Sequence, residues 1–166
     1  MTKVYVSDTN IWIDFRNAGL LNELFLLPLK LCSTDFVLNE LIDLSTAELV
    51  NLGLQVESLD EAAILQLYEL MVKHRNSSLA DVSCYLFAKN TGYPLLTGDG
   101  KLRKQAMKDG IQVSGVLWLI DQLVANRLIS KGRAQLGLEK MLLMGARLPQ
   151  AECHRRIQEW SSRTLT

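Results

Sequence analysis

The chain has 166 residues, of which 48% are hydrophobic and 22% are charged, and its 18 basic and 18 acidic side chains cancel. One folded domain accounts for this length, and the composition excludes an intrinsically disordered chain. No apolar run approaches the ~18 residues of a membrane span, and the opening residues lack the pattern of a signal peptide, so we expect a cytoplasmic protein with no membrane partner.

Five short segments have the apolar and β-branched composition that favours strands. The first, Val4-Tyr5-Val6, stops at Ser7-Asp8-Thr9-Asn10, four residues that favour turns and helix caps. The other predicted strands cover residues 29–33, 54–59, 93–97 and 111–113.

Amphipathic patterns between these segments predict helices. The first follows Asn10, and Glu40 falls within the first two turns of the helix after the second strand. Ser77-Ser78 is the predicted cap of the helix that carries Asp81 in its first turn. The helix around Glu40, capped by Thr34 or Asp35, is expected to carry Leu38, Leu41 and Ile42. The other predicted helices cover residues 20–27, 61–75, 79–90, 101–108, 116–126, 131–144 and 150–160.

Strands that alternate with helices predict an α/β fold, with a central parallel sheet in a three-layer α/β/α arrangement. The strands should be joined by right-handed crossovers. We expect a single domain over residues 1–166, with a core of about residues 3–115 and a C-terminal helical extension of about residues 116–166.

Four acidic residues from distant parts of the sequence are predicted to meet at one edge of that sheet. Asp8 follows the first strand directly, Asp99 follows the fourth strand by one glycine, and Glu40 comes shortly after the second strand. Asp81 begins a helix that starts at the same edge if it runs antiparallel to the strands. Ligands of open α/β sheets bind beyond the carboxyl ends of the strands. Taken singly, these acids also fit helix caps, turns or the preference of a first helical turn for negative charge.

Four carboxylates in one place repel one another, and a divalent cation relieves that repulsion. Mg²⁺ and Mn²⁺ prefer oxygen ligands, and such an ion can bind a phosphate oxygen, activate water and stabilise a leaving oxygen. The pattern therefore predicts a metal-dependent phosphodiesterase whose catalytic and metal-binding residues are Asp8, Glu40, Asp81 and Asp99.

Histidine and cysteine offer no alternative site. The three cysteines, Cys32, Cys84 and Cys153, are odd in number and far apart, which argues against a disulfide framework and a zinc knuckle. His74 and His154 lack metal-ligand spacing with the cysteines, so we expect packing or surface roles for both. A nucleophilic mechanism based on serine or cysteine with histidine has no support in the sequence.

The segments around the four acids resemble the motifs of a PIN domain. The segments are the opening strand with Asp8-Thr9-Asn10, then Asn39-Glu40-Leu41, Ser78-Leu79-Ala80-Asp81 and Leu95-Leu96-Thr97-Gly98-Asp99-Gly100-Lys101-Leu102. Gly100 stands where a bulkier residue is common in the family. The C-terminal helices resemble the extension of one prokaryotic branch, and they make the chain longer than a minimal VapC-type toxin.

The resemblance implies a PIN-like fold and an endoribonuclease that depends on Mg²⁺ or Mn²⁺, similar to VapC-type toxins. Such toxins act in toxin–antitoxin pairs and commonly dimerise, so the expected partners are RNA, an antitoxin protein and a second copy of the chain. It further implies that the four acids bind the metal and orient the attacking water, while Asn10 and Thr97 supply supporting hydrogen bonds.

Basic residues are concentrated in the last part of the chain, where positions 100–166 carry 12 basic and 5 acidic side chains, against 6 and 13 in positions 1–99. Lys101, Arg103 and Lys104 follow Asp99 directly and are the predicted RNA contacts, with a solvated helix face as the alternative. More distant candidates are Arg127, Lys131, Arg133, Arg147, Arg155 and Arg156, and Trp12, Trp118 and Trp160 could stack on bases or pack in the core.

Other functions fit the sequence less well but stay open. One is a non-catalytic PIN-fold module that binds RNA or protein, and another is a nuclease of RNA processing outside toxin–antitoxin systems. A phosphotransfer receiver is disfavoured because Ile111-Gln112-Val113-Ser114-Gly115 offers no lysine. A haloacid-dehalogenase-type phosphatase is disfavoured because Asp8-Thr9-Asn10 lacks a second acid.

Overall fold

The computed structural model describes residues 2–161, and at its centre lies a five-stranded sheet in which every pairing is parallel. The strands in chain order are β1 (Val4–Ser7), β2 (Lys30–Thr34), β3 (Gln55–Glu57), β4 (Leu95–Leu96) and β5 (Val113–Ser114). Across the sheet they stand in the order β3-β2-β1-β4-β5, so β1 is central.

Helices connect and flank these strands. In chain order they are α1 (Thr9–Asn17), α2 (Leu21–Leu24), α3 (Asp35–Glu40), α4 (Thr46–Leu52), α5 (Glu61–Lys73), α6 (Leu79–Thr91), α7 (Gly100–Lys108), α8 (Val116–Ala125), α9 (Lys131–Leu143) and α10 (Gln150–Ser161). Helix α6 packs against β1, β2 and β4, while α1, α2, α8 and α9 contact one another. The predicted class, α/β with helices around a central parallel sheet, is confirmed.

Capping side chains determine where many of the helices begin. A hydroxyl or carboxylate oxygen accepts a hydrogen bond from the backbone N–H three residues later, and each such cap contributes about 1 kcal/mol. This arrangement begins α3, α4, α5, α6 and α9, with the caps Thr34, Ser45, Asp60, Ser78 and Ser130. Helix α6 ends at Gly92, whose left-handed backbone (φ +82°) favours glycine.

Aromatic side chains join the helices to the sheet. Trp12 is fully buried, and its indole N–H donates to Ser33 Oγ at 2.9 Å. Trp118 of α8 stacks on Tyr5 of β1 with ring centroids 5.4 Å apart. Trp160 is 5% exposed. Packing, and not stacking on bases, is therefore the role of Trp12 and Trp160.

Two predicted helices are shorter than their apolar patterns suggested. The helix expected over residues 20–27 covers only Leu21–Leu24. The helix expected to carry Leu41 and Ile42 ends at Glu40 instead. Leu41 adopts an extended backbone (ψ 124°), which stops the helix, and Ile42 is 93% exposed. Glu40 is thus the last residue of a six-residue helix.

Charged side chains join the last three helices to one another and to α2. Arg156 of α10 donates to both carboxylate oxygens of Asp121 on α8, with its closest nitrogen at 2.8 Å. Arg133 of α9 pairs with Glu23 of α2 at 2.7 Å. Both arginines, predicted as more distant RNA contacts, form ion pairs within the protein. Within residues 2–161 no helix is long and apolar enough to cross a membrane.

Candidate active site

The carboxyl ends of β1 and β4 meet at one edge of the sheet. Ser7 and Leu96, the last residues of these strands, pair in register, and Asp8 and Thr97 follow them. The backbone N–H of Asp8 donates to the Leu96 carbonyl at 3.1 Å, which continues the pairing to the position of Asp8. Asp8 therefore lies at the edge where the sequence predicts a site.

The Asp8 carboxylate is fully buried and accepts three hydrogen bonds. Oδ2 accepts from the Thr97 hydroxyl at 2.7 Å and from the Gly98 N–H at 3.3 Å. Oδ1 accepts from the Ile11 N–H at 3.3 Å, so that Asp8 also caps α1. Burial raises the pKa of Asp8 to about 6, although these hydrogen bonds oppose the rise. A positive charge beside such a carboxylate would stabilise its ionised form.

Asp81 lies in the first turn of α6, which the Ser78 hydroxyl caps by accepting the Asp81 N–H at 3.0 Å. The residue is only 9% exposed. The pKa of Asp81 is raised to about 7, chiefly by burial and then by the negative charges of Asp8, Glu40 and Asp99. Asp81 is thus the acid on which the charges of the other three predicted acids act.

Asp99 caps α7 with one carboxylate oxygen and contacts the α5–α6 turn with the other. Oδ1 accepts from the N–H groups of Lys101 and Leu102 at 3.0 and 3.2 Å. Oδ2 accepts from the Ser77 hydroxyl at 2.6 Å. Glu40, at the end of α3, is exposed to solvent. The four acids thus range from fully buried Asp8 to exposed Glu40.

Thr97 links two of the acids. Its hydroxyl donates to Asp8 Oδ2 and accepts the Asp99 N–H at 3.1 Å. Asn10, the second predicted supporting residue, lies exposed in the first turn of α1. The structure adds a fifth acid, Asp14 of α1, which the sequence interpretation missed. Burial raises the pKa of Asp14 to about 6, and its charge in turn raises the pKa of Asp8.

The chemistry of the site fits a hard divalent cation. Oδ1 of Asp81 is buried and accepts no hydrogen bond, which is costly for a carboxylate oxygen in a protein interior. Repulsion among the acids would also be relieved by a cation. In the described range, no three His, Cys, Asp or Glu side chains are already placed to ligate one ion. Mg²⁺ keeps several waters, so carboxylates can hold it through water as well as directly.

The basic residues that follow Asp99 lie exposed on α7. Arg103 is the one whose head group is placed at the sheet edge. A Cβ built on Gly115 would lie 3.4 Å from Arg103 Nη1 and 3.4 Å from the Thr97 carbonyl oxygen. The Arg103 guanidinium is therefore close to the carboxyl ends of β4 and β5. Lys101 and Lys104 share its helix and its exposure.

His74 lies near the same site, although the sequence predicted a packing or surface role for it. It is 9% exposed, its ring centroid is 6.0 Å from that of Tyr85, and its Nε2 has no hydrogen-bond partner. Burial and then the Lys73 charge lower the pKa of His74, while the Asp99 charge raises it. His74 thus combines the expected packing with a position close to Asp99.

A family model described as a PIN domain matches residues 4–162, a range that includes all four acids and the helices α8 to α10. No curated protein matches the chain.

Proposed function

Because the chain belongs to the PIN-domain family, whose members are commonly nucleases that use divalent metal ions, we propose that it is a metal-dependent endoribonuclease. The proposed reaction is hydrolysis of RNA phosphodiester bonds by a water molecule that Mg²⁺ or Mn²⁺ activates. The observation that carries the proposal is Oδ1 of Asp81, which is buried without a hydrogen-bond partner in a residue whose pKa is raised first by burial and then by the charges of Asp8, Glu40 and Asp99.

The proposed ligands divide by burial and by the partners of their oxygens. Asp8 and Asp99, each with a carboxylate oriented by several hydrogen bonds, are proposed to bind the ion directly. Glu40 and Asp81 are proposed to act through water, with exposed Glu40 orienting the attacking molecule. When bound, Mg²⁺ or Mn²⁺ supplies the positive charge that lowers the pKa of water and offsets charge on the phosphate. Thr97 keeps Asp8 in place by donating to its Oδ2.

Arg103 is the main proposed phosphate contact, with Lys101 and Lys104 as further contacts along α7. The position of the Arg103 guanidinium beside Thr97 and Gly115 supports this assignment. An arginine can contact a phosphate with two parallel N–H donors, which would fix the strand relative to the acids.

We further propose that the protein is the toxin of a toxin–antitoxin pair. This narrower function rests on the likeness of the four acidic segments to VapC-type toxins. It predicts a small neighbouring reading frame whose product copurifies with the chain and inhibits cleavage. Cleavage that no neighbouring product inhibits would instead favour a nuclease of RNA processing.

A homodimer is the proposed assembly, and the outer face of α5 supports it. Leu65, Tyr68 and Val72 are 68%, 59% and 67% exposed and lie on one stripe of this helix. A two-fold antiparallel pairing of α5 with its copy would bury this stripe on both chains. Light scattering should then give a dimer mass for the wild type and a monomer mass for Tyr68→Glu.

The nuclease proposal is tested by incubating the full chain with end-labelled mixed RNA in MgCl₂, MnCl₂ or EDTA. Cleavage is expected with either metal and not with EDTA. Because water is the proposed nucleophile and the RNA 2′-hydroxyl is not, the products should carry no 2′,3′-cyclic phosphate. Asp8→Asn should abolish cleavage, while Glu139→Gln, which removes an exposed acid of α9, should cleave as the wild type does.

Two results would contradict the proposal. Cleavage that persists in EDTA, or that leaves cyclic phosphates, would exclude the metal-activated water. An absence of cleavage of every RNA in the pool, together with an absence of Mn²⁺ binding, would favour the non-catalytic binding module.

A further inference from the structure

The turn between α5 and α6 contacts two of the four acids. Ser77 is 6% exposed, and its hydroxyl donates to Asp99 Oδ2 at 2.6 Å. The next residue, Ser78, accepts the Asp81 N–H at 3.0 Å and so begins α6. Two adjacent serines therefore contact acids that stand 18 residues apart in the sequence.

Asp99 has only one oxygen that is not used to cap a helix. Its Oδ1 accepts two backbone N–H groups at the start of α7, from Lys101 and Leu102. Oδ2 is thus the oxygen that remains for a ligand, and the Ser77 hydroxyl is its donor. A donor on one side of a carboxylate oxygen fixes the direction of the lone pairs that remain on that oxygen.

The backbone that carries the Ser77 hydroxyl is itself held in place by a hydrogen bond. The Ser77 N–H donates to the His74 carbonyl at 3.1 Å, which closes the turn at the end of α5. His74 is 9% exposed, so the turn is anchored in the protein interior. A donor held in this way can orient a ligand better than a donor on a loose loop.

We propose that Ser77 is a positioning residue, whose hydroxyl orients Oδ2 of Asp99 toward the divalent cation. The inference rests on the proposed function, since it assigns Ser77 a role in the same site. Ser77 carries no charge and acts only through Asp99. Loss of a hydrogen bond to a metal ligand typically weakens metal affinity by about 10- to 100-fold, and the same range is expected here.

The test measures Mn²⁺ binding by calorimetry on the metal-free full chain, together with RNA cleavage. Ser77→Ala removes the hydroxyl. Ser77→Thr and Ser77→Val form a matched pair. Threonine and valine have nearly the same shape, but threonine keeps a hydroxyl where valine has a methyl group. Ser45→Ala is the control, since it removes a hydroxyl that caps α4 and contacts none of the four acids. Circular dichroism melts establish that each variant is folded.

We expect Ser77→Ala and Ser77→Val to bind Mn²⁺ about 10- to 100-fold more weakly than the wild type. Ser77→Thr should stay within a few-fold of the wild type, and Ser45→Ala should match it. Equal Mn²⁺ affinities for Ser77→Thr and Ser77→Val would overturn the inference, as would wild-type affinity in Ser77→Ala. A wild type that neither binds Mn²⁺ nor cleaves RNA would overturn the proposed function, and the role of Ser77 with it.

Discussion

Replacement of Asp81 by asparagine should change the pH dependence of stability in the metal-free protein. Relative to the wild type, Asp81→Asn should be more stable at alkaline pH than it is at acidic pH. Burial and the neighbouring acids raise the pKa of Asp81 from 3.8 to about 7. Between these values the folded state binds more protons than the unfolded state, so stability falls as the pH rises through this range. Asparagine carries no charge at any pH, and the loss should disappear in Asp81→Asn.

The size of the effect follows from the same pKa. A rise from 3.8 to about 7 corresponds to about 4 kcal/mol above pH 8, at ~1.4 kcal/mol for each pKa unit. Part of this loss of stability is already present at pH 5. Ionisation of Asp8, whose pKa burial raises to about 6, accounts for a further part of the loss over the same pH range. We therefore expect the stability difference between Asp81→Asn and the wild type to change by about 2 kcal/mol between pH 5 and pH 8. For a chain of this size that is a change of about 4–8 °C in melting temperature.

The assay is thermal melting in EDTA at pH 5 and pH 8, for the wild type, Asp81→Asn and Glu48→Gln. Glu48 is an exposed acid in the first turn of α4, and its substitution controls for the loss of one negative charge. Mn²⁺ at pH 8 should raise the melting temperature of the wild type more than that of Asp81→Asn, because binding to the folded state stabilises it. If the wild type and Asp81→Asn have the same pH dependence, the pKa of Asp81 is not raised by burial and by the neighbouring acids, and the reasoning is refuted.

Three further substitutions test other parts of the structure. Thr97→Val removes the hydroxyl that donates to Asp8 Oδ2. It should lower the free energy of unfolding in denaturant at pH 8 by about 2 kcal/mol, because hydrogen bonds to charged groups contribute about 1.5–3 kcal/mol. It should also abolish most cleavage. Arg103→Gln should weaken RNA binding in fluorescence anisotropy and reduce the slope of log affinity against log salt by about 0.7, as expected for one lost phosphate contact. Gly137→Ala should lower the free energy of unfolding in denaturant by about 1 kcal/mol. The added Cβ would lie 2.8 Å from Cδ1 of buried Leu20. The resulting overpacking should outweigh the gain in helix propensity.

Each of these substitutions has a control in the same chain. Thr91→Val removes an exposed hydroxyl that bonds the Phe87 carbonyl and the Tyr93 N–H, and should lower the free energy of unfolding by less than about 1 kcal/mol. Lys108 is the last residue of α7, and Lys108→Gln should leave the slope of log affinity against log salt unchanged. Gly132→Ala, whose Cβ would meet nothing closer than 3.9 Å, should not destabilise the protein. A control that behaves like its partner would contradict the corresponding prediction.

The start of a helix could be predicted from the sequence more reliably than its end. A capping side chain bonds a backbone group only a few residues away, so Ser78 and Asp99 are recognisable as caps from local sequence. The end of α3 depends on the extended backbone of Leu41, which no nearby glycine or proline announces. Helix α4 was not predicted, although Ser45 caps it and Gly53, with φ +124°, ends it.

The strands were harder to delimit because several of them are very short. The segments predicted at residues 54–59, 93–97 and 111–113 correspond to β3, β4 and β5 of three, two and two residues. Such strands are defined by pairing with a neighbour, for example Leu95 with Val113, and pairing is a property of the tertiary structure. The composition of the segments showed that strands exist there but not where each begins and ends.

Asp8, Asp81 and Asp99 could be placed from the sequence because each directly follows a strand or lies at the start of a helix, whereas Glu40, expected in the first two turns of a longer helix, is the last residue of α3. The residues that hold them could be predicted only in part. Thr97, which is adjacent in sequence to the Asp99 loop, was among the expected supporting residues. Ser77 was not, because its bond to Asp99 joins residues 22 positions apart and depends on how α5, α6 and α7 pack. Asp14 was also missed, since its effect on Asp8 depends on burial.

Cleavage of a mixed RNA pool by wild type and Asp99→Asn, each with and without Mn²⁺, addresses the assignment of the four acids as a metal-dependent nuclease site. Asp99→Asn retains a side-chain oxygen that can cap α7, so it should fold, and its melting curve provides the check. We predict that the wild type cleaves RNA only when Mn²⁺ is present and that Asp99→Asn does not cleave RNA in either condition. Cleavage by folded Asp99→Asn at the wild-type rate would contradict the assignment.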